Sequence, residues 1–157
     1  MRWATAYSFN SKSMNNISQH ITWAEATKSQ TALRLGIINK PKAKELEAMR
    51  LVALHCFEPL RVWWGKPIGI SSFYRCRELN KAVKGSAFSQ HMKGQAIDID
   101  ADIFNNGLSN YQIFHWLKEN VDFDQLIWEY GNQREPAWVH VSYVSPIHNR
   151  NQILHIR

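Results

Sequence analysis

The sequence predicts an α+β domain in which one antiparallel sheet has helices packed on one side. Apolar residues recur at spacings of three and four between Leu46 and Leu60 and again from Ile113 to Leu117, as on the buried faces of helices. The segments around 68–74, 96–100, 125–129 and 138–143 are rich in β-branched and aromatic residues, as strands are. The resulting order is helix, helix, strand, helix, strand, helix, hairpin. At 157 residues, with 45% hydrophobic and 20% charged residues, the chain is one globular domain spanning 1–157 and is long enough for a real core. It has no internal repeat, no low-complexity tract and no sign of a second domain.

Taken in order, residues 1–20 are polar and Ser/Asn-rich and read as a loose arm or an irregular cover. Thr22-Trp23-Ala24-Glu25 is a capping box, so a short helix runs from 23 to about 28. Asn39-Lys40-Pro41 reads as the start of a longer helix, with proline in its first turn. Leu46, Met49, Ala53, Cys56, Phe57 and Leu60 form that helix's apolar face, and Pro59 should kink or split it. Trp63 and Trp64 close the segment, and Gly65 stops it. Ile68–Tyr74 is a strand with Arg75 emerging at its end, and 76–88 hold a short helix or turn. After the strand at 96–100 comes a loop, 101–107. Ser109-Asn110-Tyr111-Gln112 is a second capping box, opening a helix of about 110–119. Gln125–Glu129 and Trp138–Tyr143 are expected to form an antiparallel hairpin around Tyr130-Gly131-Asn132, and Gln152–Ile156 adds a last short strand.

A net charge of +6 and a pI of about 9.5 favour polyanionic surroundings, either nucleic acid or a bacterial envelope. The basic residues are scattered, with no run of five, so no nucleic-acid-binding arm is expected. Cys56 and Cys76 are too few for a disulfide framework and are expected as free thiols. The first residues lack the apolar run of a signal peptide, and no segment reaches the roughly 18 apolar residues of a membrane span. The expectation is a monomer made in the cytoplasm; an external substrate would require delivery by another route.

The chemistry gathers in Ser89-Gln90-His91-Met92-Lys93-Gly94-Gln95-Ala96-Ile97-Asp98. An imidazole and a carboxylate are separated by a glycine that lets the backbone turn, and the carboxylate lies in a strand-like run. Both are ordinary zinc ligands, and a catalytic zinc needs three protein ligands and one open position. The third candidate is His140, in the alternating segment Trp138-Val139-His140-Val141-Ser142, on the same face as Trp138 and Ser142. The expected metal set is therefore His91, Asp98 and His140.

Ser-x-His-x-x-Gly-x-Ala-x-Asp followed by Trp-Val-His-Val-Ser resembles the M15 zinc peptidases, which are D-Ala-D-Ala carboxypeptidases and peptidoglycan endopeptidases, phage lysins among them. The resemblance covers roughly residues 17–144 and includes Ile70–Arg75 and Leu79-Asn80. It implies the fold of the D,D-peptidases and hedgehog domains, a Zn2+ cofactor and a peptide of the cell wall as substrate. It assigns Arg75 the grip on a substrate carboxylate, for which a planar guanidinium fork is suited. Arg77 is a weaker alternative, and Ser89 would help to orient the substrate. Related sequences often carry an acidic residue three positions before the last histidine, but here that position is Ala137. The candidate general base is Glu129, at the end of the preceding strand, where a hairpin would bring it to the face of the metal; Glu135, in the loop, is the runner-up. Two other readings are a non-catalytic zinc- or wall-binding module on the same fold and a basic nucleic-acid-binding protein.

Overall fold

Thr22 opens the first helix as its capping box requires. In the computed structural model, which describes residues 16–157, its hydroxyl accepts from the Glu25 amide at 3.2 Å while Glu25 accepts from the Thr22 amide at 3.0 Å. This is α1, Trp23–Thr27. Of the stretch 1–20, residues 1–15 lie outside the described residues, and 16–20 form an irregular cover packed on the domain rather than a loose arm. Ile17 is fully buried, and Ser18 and His20 are tied to the carboxylate of buried Glu58 at 2.5 and 2.6 Å. A helix missing from the sequence reading follows, α2 (Gln30–Leu35), capped by Ser29.

The next helix, α3 (Ala43–Val52), begins at Lys42 rather than at Asn39. Asn39 is engaged elsewhere: its amide donates to the carbonyls of Thr27 and Tyr74 and its oxygen accepts from the Cys76 amide, stitching three segments together. Pro59 acts on the helix as expected, though by widening it. A proline has no N–H to offer and crowds the carbonyl four residues back. The chain adopts a π segment over Ala53–Phe57, with the Glu58 amide reaching Ala53 O, and continues as α4 (Glu58–Trp64). Gly65 ends it in the left-handed region at φ 76°.

Five strands follow: β1 (Gly69–Ser72), β2 (Ala96–Asp100), β3 (Gln125–Glu129), β4 (Trp138–Ser142) and β5 (Gln152–Ile156). Between them lie α5 (Arg77–Ala82), a 3-10 turn over Gln90–Lys93, a second such turn over Ala101–Ile103, and α6 (Asn110–Asn120). The sheet order is β1-β2-β4-β3-β5. β3 and β4 are the expected antiparallel hairpin. The sheet as a whole is mixed rather than purely antiparallel, because β5 runs parallel to β3. The reason is topological. β2 already occupies the outer edge of β4, so the returning chain must cross to the free edge of β3, and running opposite to β4 makes it parallel there.

The period-two alternation of the strands sorts the two faces. Ile97, Ile99, Leu126, Trp128, Val139 and Val141 point to one side and are 6% exposed or less. Met49, Val52, Cys56 and Phe57 from the long helix and Ile113, Phe114 and Leu117 from α6 close the same cluster. Each such side chain is worth about 1.5–3 kcal/mol by burial. Asp98, Glu129 and His140 point to the other side. Both cysteines are free, as expected. No helix among the described residues is long and apolar enough to cross a membrane.

Candidate metal centre

Two of the three expected donors are fixed by strand register. Asp98 on β2 lies directly opposite His140 on β4 in the antiparallel ladder. The third, His91, comes from the 3-10 turn just before β2. Gly94 ends that turn at φ 69°, and a Cβ there would collide with the Glu45 carbonyl and the Met49 side chain of α3. Only glycine allows the chain to turn so close to the helix and re-enter the sheet.

The side chains converge. His91 Nε2 lies 3.2 Å from Asp98 Oδ1 and 3.3 Å from His140 Nδ1, and His140 Nδ1 lies 2.9 Å from Asp98 Oδ1. Donors bound tetrahedrally to zinc at 2.0–2.1 Å stand about 3.3 Å apart. The observed triangle is close to that size, so the donor set fits a small divalent cation. All three residues are buried, at 1%, 8% and 7% exposure for His91, Asp98 and His140. The far ring nitrogen of His91, Nδ1, meets the carbonyl of Phe73 at 2.6 Å. A carbonyl can only accept, so Nδ1 carries the proton and Nε2 turns a lone pair toward the triangle.

The electrostatics agree. Burial lowers the pKa of His91, favouring the neutral form that a metal needs, although Asp98 opposes this. Burial would raise Asp98, but the neighbouring His91 and His140 outweigh it and hold the carboxyl well below the usual range. Both shifts run toward the forms a metal binds, a neutral imidazole and an ionised carboxylate.

Glu129 lies on this face. Its carboxylate reaches 3.8 Å from His140 Nδ1, and the side chain is 18% exposed. Burial raises its pKa, with Asp98 adding to the effect, while His140 and Arg75 oppose it. Glu135 is used differently: it accepts from the Tyr111 amide at 3.2 Å, at the start of α6. Arg75 follows the strand region of β1, and its amide donates to the His91 carbonyl at 3.3 Å. Burial lowers its pKa, opposed by the charges of Asp98 and Glu129. Its Nε is buried and has no hydrogen-bond partner among the described residues. Arg77 is exposed in α5. Ser89 precedes the 3-10 turn with its amide on Ser86 O, and its hydroxyl bonds no site residue among those described. The Phe73 carbonyl is a site group the sequence reading missed; a backbone acceptor leaves no mark on a sequence.

Fold and site together define a single-domain α+β protein with a buried His–Asp–His centre able to hold a metal, flanked by a carboxylate and an arginine. A family model described as Peptidase M15 matches residues 19–142, from just before α1 to the end of β4. The chain belongs to that family and is by it a peptidase. No curated protein matches it.

Proposed function

We propose that this protein is a zinc-dependent peptidase that hydrolyses a peptide bond in the stem or cross-linking peptides of peptidoglycan. The observation that carries the reading is the donor triangle of His91, Asp98 and His140, with the Glu129 carboxylate 3.8 Å from its edge. Zinc held by those donors supplies Lewis acidity, both for a substrate carbonyl and for a water.

The chain's own residues supply the rest. Glu129 takes the proton of the attacking water at a carboxylate oxygen and delivers it to the amide nitrogen that leaves. Partial burial suits it to this task, because a raised pKa lets it hold a proton between the two steps. Arg75 binds a substrate carboxylate through its guanidinium, which stands close enough to Asp98 and Glu129 to feel their charges. Ser89, beside the turn that carries His91, helps to orient the peptide.

A terminal carboxylate in that grip corresponds to D-Ala-D-Ala carboxypeptidase action, and an internal side-chain carboxylate to endopeptidase action. Either suits a cell-wall lysin of phage type that is made in the cytoplasm, delivered to the wall by another route and active as a monomer. The position of Glu129 weighs against the non-catalytic wall-binding alternative. Mass analysis of muropeptides from purified sacculi, incubated with and without a chelator, is the test. New, shortened peptides that vanish with the chelator are expected. Unchanged muropeptides with the zinc-loaded protein would exclude the activity.

A further inference from the structure

His91 is the donor least secured by the sheet. Asp98 and His140 sit in ladder strands, whereas His91 sits in a four-residue 3-10 turn. A buried carboxylate outside the site reaches that turn. Asp124, immediately before β3, is 1% exposed. Its Oδ2 accepts from Gln90 Nε2 at 2.8 Å, and Gln90 is the residue immediately before His91. The oxygen of the Gln90 amide has no partner among the described residues, so its bond to Asp124 is the side chain's one anchor there. The Ser142 hydroxyl, two residues after His140, lies 3.5 Å from the same carboxylate. The remaining bonds to the carboxylate, among the described residues, come from Arg150: its amide at 3.0 Å, Nε at 2.8 Å and a terminal nitrogen at 2.6 Å.

Arg150 lies beyond the stretch that matches the family, in the connection leading to β5. The end of that connection and the first residue of β5 add two backbone bonds, Asn151 N to Phe123 O and Gln152 N to Asp124 O. One carboxylate therefore joins the turn bearing His91, the end of the strand bearing His140 and the C-terminal segment.

We propose that Asp124 is a positioning residue for the metal centre: through Gln90 it sets the turn that aims His91, and Arg150 holds it in place, so the C-terminal strand is coupled to the site. The inference rests on the reading of the triangle as a metal site. Hydrogen bonds behind a metal ligand fix its orientation, and losing one weakens metal binding by about 10–100-fold. A purely architectural ion pair would make the Gln90 bond dispensable to the site.

The test uses the full chain with Gln90→Ala, which leaves the Asp124–Arg150 pair intact. Two quantities are read. In metal-free protein, NMR gives the solvent exchange of the His91 Nδ1 proton held by Phe73 O. In competition with a chromophoric chelator, titration gives the zinc dissociation constant. Gln90→Ala is expected to speed the exchange and to weaken zinc, by no more than the about 10–100-fold that losing a bond made directly to a ligand costs, while urea unfolding of the metal-free protein stays cooperative and shifts by no more than one lost hydrogen bond. Arg150→Ala moves both quantities in the same direction. An unaltered exchange rate in Gln90→Ala, or an unaltered zinc constant, overturns the proposal. If the wild-type chain takes up no zinc but Gln90→Ala still speeds exchange, the positioning role stands and the zinc peptidase reading falls.

Discussion

Replacing Glu129 by Gln keeps the side chain's size and removes its ability to take a proton. The carboxylate is not one of the three converging donors, and at 3.8 Å from His140 Nδ1 it stands outside their triangle. Zinc content and KM should therefore hold. The loss falls on kcat, because general-base catalysis by a positioned side chain is worth about 10²–10⁴-fold. That range corresponds to about 2.7–5.4 kcal/mol of barrier. The matched control is Glu135→Gln. Glu135 bonds the Tyr111 amide at the start of α6, so its loss costs a helix-terminus contact of under about 1 kcal/mol and leaves the chemistry alone. The assay is the initial rate of peptide release from sacculi, with the metal content of each variant measured alongside. The assignment fails if Glu129→Gln retains activity within about threefold of wild type, or if Glu135→Gln loses as much as Glu129→Gln.

Asp98→Asn removes the only anionic donor, and zinc affinity should drop by more than the roughly 100-fold seen when an outer contact is lost, as a competition titration would report. Zinc at about 100 times its dissociation constant should stabilise the wild-type fold by about 2.7 kcal/mol, and calorimetry should find that upward shift in Tm abolished in Asp98→Asn. Gly94→Ala forces a side chain into the left-handed region and against the Glu45 carbonyl, so urea unfolding should show a loss of about 1–3 kcal/mol. Arg150 beside Asp124 pulls its carboxyl down to about 2, below its unfolded-state value. The resulting stability, about 2.4 kcal/mol as an upper figure, is present in full above about pH 5 and is lost progressively as pH falls through 2. Arg150→Ala should flatten that acid limb in unfolding curves taken across pH 2–5.

The donors were legible because each lies in a local pattern that constrains its own backbone. Asp98 alternates with Ile97 and Ile99, and His140 alternates with Val139 and Val141, so both had to leave the apolar face together. The capping boxes at Thr22 and Ser109 were legible for the same reason, since their partners are three residues away. What the sequence hid depends on distant chain. The direction of β5 follows from which edge of the hairpin β2 had already taken. Asn39 looks like a helix start until Thr27, Tyr74 and Cys76 are placed around it. The hairpin pattern already put Glu129 on the face of His140, but the 3.8 Å approach of its carboxylate to the His140 ring depends on the cross-strand register. α2 did carry a signal, Ser29 before it and Gly36 after it, but six residues are too few for a visible apolar period.

The division of labour among the donors explains why the site can be both accurate and adjustable. Pairing Asp98 with His140 across a ladder makes their separation a property of sheet register. A one-residue slip would send one of them into the apolar core, where an unpaired polar group costs several kcal/mol, so the wrong register excludes itself. His91 has no such protection. Its aim is set by a short turn, by a glycine pressed against α3, by the Phe73 carbonyl and by Gln90 on Asp124. None of these contacts involves the other two donors. Changes at Gly94, Gln90 or Arg150 should therefore alter how tightly the centre holds a metal while leaving the Asp98–His140 pair in place, whereas changes in the β2–β4 ladder should unfold the sheet before they retune the site.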